Sequence, residues 1–140
     1  NYTRTVDANT ATLTLGQGDN GSTVLMNKSD GVVVTLPAAT NAIKGWSATF
    51  VYKTTIASGS GTVQGASSAD LFYGSITMIK SAAAGSTFAA NGSSDYKIAS
   101  NGTTTGGIAG GVFTLTCLGL NAWLITGNLQ GSGSVQTPFA

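Results

Sequence analysis

The sequence predicts an all-β fold, more specifically an antiparallel, jelly-roll-like β-sandwich of about eight strands with one short helical turn. Short apolar and Thr-rich runs recur between clusters of Gly, Asn, Ser and Asp, and no stretch keeps the i, i+3, i+4, i+7 spacing of an amphipathic helix. The links between the runs are rich in Gly and Asn, which accept the positive φ of tight hairpin turns. Antiparallel connections are therefore expected.

Eight runs form the predicted strands, and one segment between them forms the predicted helical turn. In chain order the strands are 10–15 (TATLTL), 22–27 (STVLMN), 31–36 (GVVVTL), 46–56 (WSATFVYKTTI), 71–80 (LFYGSITMIK), 95–99 (DYKIA), 112–118 (VFTLTCL) and 122–127 (AWLITG). The helical turn lies in residues 37–45, with Pro37 suited to a first helical position and Gly45 to the exit. We expect this turn to plug one end of the sandwich.

Length and composition indicate a single domain with an almost uncharged surface. The 140 residues divide into an extended N-terminal arm, 1–9, and one β-sandwich domain, 10–140. Charged residues make up 8% of the chain, against about 25% in an average soluble domain. Ser, Thr, Asn and Gly must therefore cover most of the exterior. Such a surface favours either an assembled protein or a secreted or particle-borne domain with a hydroxyl-rich coat.

Several partner classes are not expected. The six basic residues are scattered singly, without the clustering that binds phosphates, so nucleic acid is an unexpected partner. No run of 18 apolar residues predicts a membrane span. The single cysteine, Cys117, excludes a disulfide within the chain and lies in an apolar run, which favours a role as a small core residue.

The sequence is also poor in catalytic groups. It contains no His and no Glu, so the commonest general base, His-based metal sites and Ser-His-Asp triads are excluded. A pair of Asp carboxylates, as in glycosidases, is conceivable, but most of the five Asp residues fall in turns. The loops of Asp19, Asn20 and Asp30 offer oxygen ligands for Ca²⁺, although turn formation is the favoured interpretation. We expect no enzyme activity and no cofactor.

Two segments together carry a resemblance to a known family. They are "GSTVLMNKSDGVVVTLPAATNAIKGWSATFVYK" and a late hairpin with the pattern G-x-F-T-L-x-C-L-G-x-N-x-W-L-I-T-G, followed by a "TPF" ending. With Gly119, Asn121 and Trp123 in its hairpin, the chain resembles small β-domains of tailed-phage virion proteins over roughly residues 11 to 139. Where such domains often have an acidic residue before that Gly, this chain has Cys117 and Leu118.

The resemblance implies a non-enzymatic virion component, often trimeric, on the capsid exterior or in a fibre. The first hypothesis is a decoration protein that binds the outer surface of the head and bridges subunits of the major capsid protein. The candidate contacts with the capsid or a sister subunit are Tyr2, Arg4, Asp7, Trp123 and Phe139; for Trp123 the alternative is that it closes the core of the sandwich. Deletion of residues 1–9 is expected to leave a folded domain that no longer decorates heads.

The alternative hypothesis is a tail-fibre or receptor-binding tip domain that recognises host glycans. Its aromatic and Asn/Ser binding groups would lie on loops such as 58–70 and 91–107, and changing Tyr73 or Tyr96 should then abolish glycan binding. We expect the chain to form a homotrimer, a state that both hypotheses accommodate. The apolar strands offer more hydrophobic residues than one face of a two-sheet core requires, so we expect part of the surface to be shared between subunits.

Overall fold

The computed structural model describes residues 4–81 and 83–140, and these residues form eleven β-strands and two single 3₁₀ turns. The predicted all-β class is confirmed. The strands are β1 (Thr5–Ala8), β2 (Thr12–Thr14), β3 (Thr23–Met26), β4 (Val32–Thr35), β5 (Ser47–Tyr52), β6 (Gly61–Gln64), β7 (Leu71–Lys80), β8 (Ala83–Ala89), β9 (Lys97–Ser100), β10 (Val112–Gly119) and β11 (Ala122–Gly131). The 3₁₀ turns are Gln17–Asp19 and Asn41–Ile43.

The strands form two mixed sheets. The large sheet has seven strands in the order β1-β3-β5-β10-β11-β7-β8, and the small sheet has four in the order β2-β4-β6-β9. From β1 to β6 the chain crosses from one sheet to the other at every step. Each strand in this part therefore lies parallel to the strand two places earlier, as β3 does to β1 and β4 to β2.

The predicted antiparallel arrangement is wrong for five of the nine strand pairings. Besides the four parallel pairs of the N-terminal half, β11 lies parallel to β7, and the jelly-roll connectivity is not confirmed. The physical reason lies in the turns. The turn at residues 28–31, where the amide of Gly31 donates to the carbonyl of Lys28 at 3.1 Å, leads from β3 in the large sheet to β4 in the small one. Gly- and Asn-rich turns thus serve crossings as well as hairpins.

Both sheets contribute to one hydrophobic core. Strand β5 alternates half-buried and buried residues, and its inward Phe50 stacks on Phe113 of β10 with ring centroids 5.2 Å apart. The neighbouring inward residue, Tyr52, donates its hydroxyl to the carbonyl of Gly61 in β6 at 2.9 Å. A Cβ at Gly61 would lie 2.7 Å from the Tyr52 ring, so this contact between the sheets requires glycine.

The predicted helical turn is present but shorter and later than expected. The 3₁₀ turn Asn41–Ile43 follows Thr40, so Pro37 lies before it rather than at its first position. Gly45 follows with φ of 86°, as expected for an exit. The preceding segment is held by Asp70, whose buried carboxylate accepts the amide of Ala39 at 3.1 Å. In the described residues, no helix has the length and hydropathy needed to cross a membrane.

The burial of the Tyr52 phenol predicts how the stability of the fold depends on pH. Burial raises the pKa of Tyr52 to about 12. Because this folded-state pKa lies above that of an unfolded tyrosine, the phenol contributes its full stabilisation below pH 10, and the contribution is lost as the pH rises through 12. We expect this group alone to lower the free energy of unfolding by about 2 kcal/mol between pH 10 and 12.

Tyr52→Phe should remove that dependence and cost about 1 kcal/mol at pH 7 through the lost hydrogen bond. Urea denaturation followed by tryptophan fluorescence at a series of pH values measures both effects. Tyr73→Phe changes an exposed phenol and is the matched control, so it should keep the wild-type pH profile. If the free energy of unfolding of Tyr52→Phe depended on pH as that of the wild type does, the loss of stability between pH 10 and 12 would not come from the Tyr52 phenol.

Candidate functional site: the outer face of the large sheet

Of the residues predicted to make contacts, Arg4 and Asp7 of the N-terminal arm lie at one edge of the large sheet. Tyr2 lies outside the described residues. Arg4 is exposed; its guanidinium contacts the carboxylate of Asp19 at 3.1 Å and donates to the carbonyl of Gly18 at 3.0 Å. Asp7 lies in β1 and accepts a hydrogen bond from the side-chain amide of Asn27 at 3.2 Å. The structure therefore places residues 5–8 of the predicted arm in the sheet as strand β1.

The other two predicted contact residues are buried within the chain. Trp123 has no exposed surface, and its ring packs edge to face against Trp46 with centroids 5.6 Å apart. The indole N–H of Trp123 has no hydrogen-bond partner among the described residues. Phe139 is buried as well, and its backbone forms an isolated antiparallel β-bridge with Ile98 of β9. These two side chains pack the core, so a surface for partners must be formed by other residues.

The outer face of the large sheet carries one long row made almost entirely of hydroxyl residues. This row crosses the whole sheet in direct register and consists of Thr5, Thr23, Thr49, Thr114, Thr126, Ser75 and Ala89. Within it, the hydroxyls of Thr49 and Thr114 lie 3.1 Å apart and form a hydrogen bond. Such cross-strand threonine pairs stabilise a sheet and suit the β conformation.

Two further rows flank this one. The first consists of Asp7, Leu25, Val51, Val112, Asn128, Thr77 and Thr87, and the second of Ser47, Thr116, Leu124 and Tyr73. We call the three rows together the threonine face. All of its positions are described, and only Asp7, on the edge strand β1, is charged. With seven strands about 4.8 Å apart, the face is about 29 Å wide.

Exposed apolar residues lie at both ends of the threonine face. Leu118 and Leu120, at the turn between β10 and β11, are 48% and 63% exposed. Ile79 of β7 and Val112 of β10 are also exposed. Apart from Asp7 at the edge strand, the hydroxyl, amide and apolar side chains of this face are uncharged, so most of the surface can leave water without stranding a charge.

The sequence contained a signal for this face that the analysis of motifs missed. Thr and Ser alternate with apolar residues within single strands, as in Ser75 and Thr77 of β7 or Thr114 and Thr116 of β10. Alternation in a strand places these residues on one side of a sheet. Alignment of the hydroxyls into rows depends on the strand order, which the sequence did not reveal.

The carboxylates of the chain are engaged in local structure rather than gathered in a site. Asp19 accepts the amide of Gly16 at 2.8 Å in addition to its contact with Arg4. Asp30 pairs with Lys28, and this hydrogen bond and charge lower the pKa of the Asp30 carboxyl. Asp95 accepts the amide of Asn91 at 2.9 Å. Among the described residues, no three groups of the types His, Cys, Asp or Glu cluster as metal ligands would.

The loops considered for glycan binding are partly strands. Residues 58–70 contain β6, which lies between β4 and β9 in the small sheet, and residues 91–107 contain β9. Among the described residues, one exposed aromatic side chain, Tyr73, remains beside a loop. A Cβ at Gly92 would lie 2.8 Å from the ring of Tyr73, so the turn at residues 91–95 packs against this ring. The Lys97 ammonium lies 5.4 Å from the centre of the Tyr96 ring.

No known protein family, curated protein or solved structure matches this chain.

The position of β1 changes the expected effect of removing the N-terminal residues. Ala8 is fully buried and Val6 packs against the core, and β1 pairs with β3 along four residues. Deletion of residues 1–9 should therefore lower the midpoint of urea unfolding, because it exposes one side of β3 and the core beneath it. Deletion of residues 1–3 retains all of these contacts and is the control. Equal midpoints for the two truncated chains would show that β1 adds nothing to stability.

Proposed function

We propose that this chain is a non-enzymatic decoration protein that attaches to the outer surface of a phage head. The observation that carries the proposal is the threonine face, a wide sheet surface on which Asp7 is the one charged residue. On this proposal the scaffold is a β-sandwich that, like a jelly roll, encloses one core between two sheets. It differs from an antiparallel jelly roll in its parallel strand pairs.

The dimensions of the threonine face suit a protein partner. One partner of a standard protein interface contributes about 800 Å², a patch roughly 30 Å across, and the face is about as wide as this. Most of its residues are short or β-branched, and the backbone of its five inner strands is fixed by pairing on both sides, so little conformational entropy is lost on binding. Hydroxyls and apolar side chains can contact a neutral surface of the major capsid protein directly or through water.

The weakness of each neutral contact fits attachment to a repeating shell. A homotrimer at three-fold positions would present three copies of the face at once, and the second and third contacts would then form at high effective concentration. No cofactor takes part in this mechanism. The proposed location is therefore the capsid exterior, with the major capsid protein and the chain itself as partners.

A charge placed in the middle of the threonine face tests this attachment. Thr126 is exposed at the centre of the face on β11, and Thr126→Lys should still fold because its side chain points to solvent. Burying an unpaired ammonium against the shell costs several kcal/mol, so binding to purified heads should fall at least about 100-fold in a co-sedimentation assay.

Ser68→Lys introduces the same charge on an exposed turn outside the three rows of the face and is the control. It should bind heads as the wild type does. Normal binding by Thr126→Lys would overturn the assignment of the face, and loss of binding by Ser68→Lys alone would assign attachment to the loop 58–70 instead.

Tyr73 supports a second candidate function, the recognition of host glycans by a tail-fibre tip. Its ring is 40% exposed and is flanked by the turn at residues 91–95, an arrangement that suits stacking against a sugar. The amide of Asn91 and the carboxylate of Asp95, however, are already bound within that turn. Glycan-array binding that disappears in Tyr73→Ala would favour this function over decoration.

A further inference from the structure

Strand β8 forms an edge of the large sheet. It pairs with β7 on one side and is the last strand in the sheet order. No other backbone hydrogen bond involves its residues in the described part of the chain. Half of its N–H and C=O groups therefore point away from β7 and have no partner among the described residues, along an edge of seven residues that is about 24 Å long.

The other three sheet edges differ from β8 in length, charge or cover. The edge of β9 is covered by the C-terminal residues, because the amide of Ala140 donates to Lys97 at 3.1 Å and that of Ala99 donates to Pro138 at 2.8 Å. Strand β2 has three residues, and β1 has four and carries Asp7. Among the described edges, β8 combines the greatest length with the absence of charge.

The composition of β8 also lacks the features that keep edge strands apart. Natural edges are protected by charged residues, proline or short length, yet residues 81–94 contain no charged residue and no proline. Six of the seven β8 residues are exposed, and Phe88 is half-buried. Strand β8 therefore buries little side-chain surface in the hydrophobic core of its own chain, which is unusual for a strand of this length. Two copies would approach each other without electrostatic repulsion.

We propose that β8 pairs with β8 of a second copy of this chain, antiparallel and about a two-fold axis. Opposed residue pairs of an antiparallel ladder alternate between hydrogen-bonded and non-hydrogen-bonded pairs, so a two-fold axis cannot exchange one pair with the next. The axis must therefore pass through the middle of one pair, in which a residue faces the same residue of the second copy. Centring the axis on Ser86, the middle of the strand, uses the full length of both edges. Phe88 then faces Ala84, and Thr87 faces Gly85, so each larger side chain lies opposite a small one.

This contact is independent of the proposed function, since it depends on the edge alone. It joins chains in pairs and so cannot by itself build a trimer. On a shell it would connect neighbouring trimers across two-fold positions. In solution, away from the shell on which the proposed trimers assemble, the free chain should form a dimer through β8 at high micromolar concentration.

Light scattering after size exclusion measures the dimer. The wild type should have a mass near twice the 13.9 kDa of the chain. Ser86→Lys places two ammonium groups opposite each other and should shift the mass to that of one chain, whereas Ser68→Lys should not. A wild-type mass of one chain at every concentration would overturn the proposal, as would a mass that Ser86→Lys leaves unchanged.

A cysteine at the two-fold axis tests the register. Facing residues of an antiparallel pair have Cα atoms about 4.5 or 5.5 Å apart, within the range of a disulfide. Cys117 is buried, so a new cysteine would be the accessible thiol. Ser86→Cys should form a disulfide-linked dimer under mild oxidation. Ala84→Cys should not, because its two copies would lie roughly 14 Å apart. Linkage of Ala84→Cys but not of Ser86→Cys would contradict this register.

Discussion

The arrangement of the two sheets depends on one contact, the hydrogen bond from the hydroxyl of Tyr52 to the carbonyl of Gly61. Tyr52 belongs to the large sheet and Gly61 to the small one, and the hydrogen bond between them lies inside the core. A side chain at Gly61 would displace the tyrosine ring, and loss of the hydroxyl would leave a buried carbonyl without this partner. The stacked rings of Phe50 and Phe113 continue the same layer within the large sheet.

Because this single core uses one face of the large sheet, the opposite face is left to the solvent. Its exposed residues include few charges, although charged side chains are the usual means of keeping a sheet face soluble. The rows of Thr and Ser hydroxyls hydrate the surface instead, and they release water at less cost than charges do. A neutral face and a neutral edge at β8 are two consequences of the same composition. Both are suited to contact with other protein chains.

The sequence predicted the fold class and the strands with clear apolar runs, including those that became β3, β4, β10 and β11. Three strands were missed for separate reasons. Strand β1 lay in the presumed arm, β6 was hidden in a segment rich in Gly and Ser, and β8 is rich in Ala, which has low strand propensity. The parallel pairs could not be predicted, because the same turn residues serve hairpins and crossings between sheets. Trp123 was expected either to close the core or to meet a neighbouring subunit, and the structure places it in the core; Phe139, expected at a contact, is buried as well.

The claim that joins these observations is that the threonine face attaches the chain to a phage head. A cryo-electron microscopy reconstruction of the particle that carries this protein tests the claim most directly. The account predicts density for three copies around the three-fold positions of the shell, with the threonine face toward the major capsid protein. Density at the tail, or copies on the shell that contact it through another surface while the threonine face points to solvent, would contradict the account.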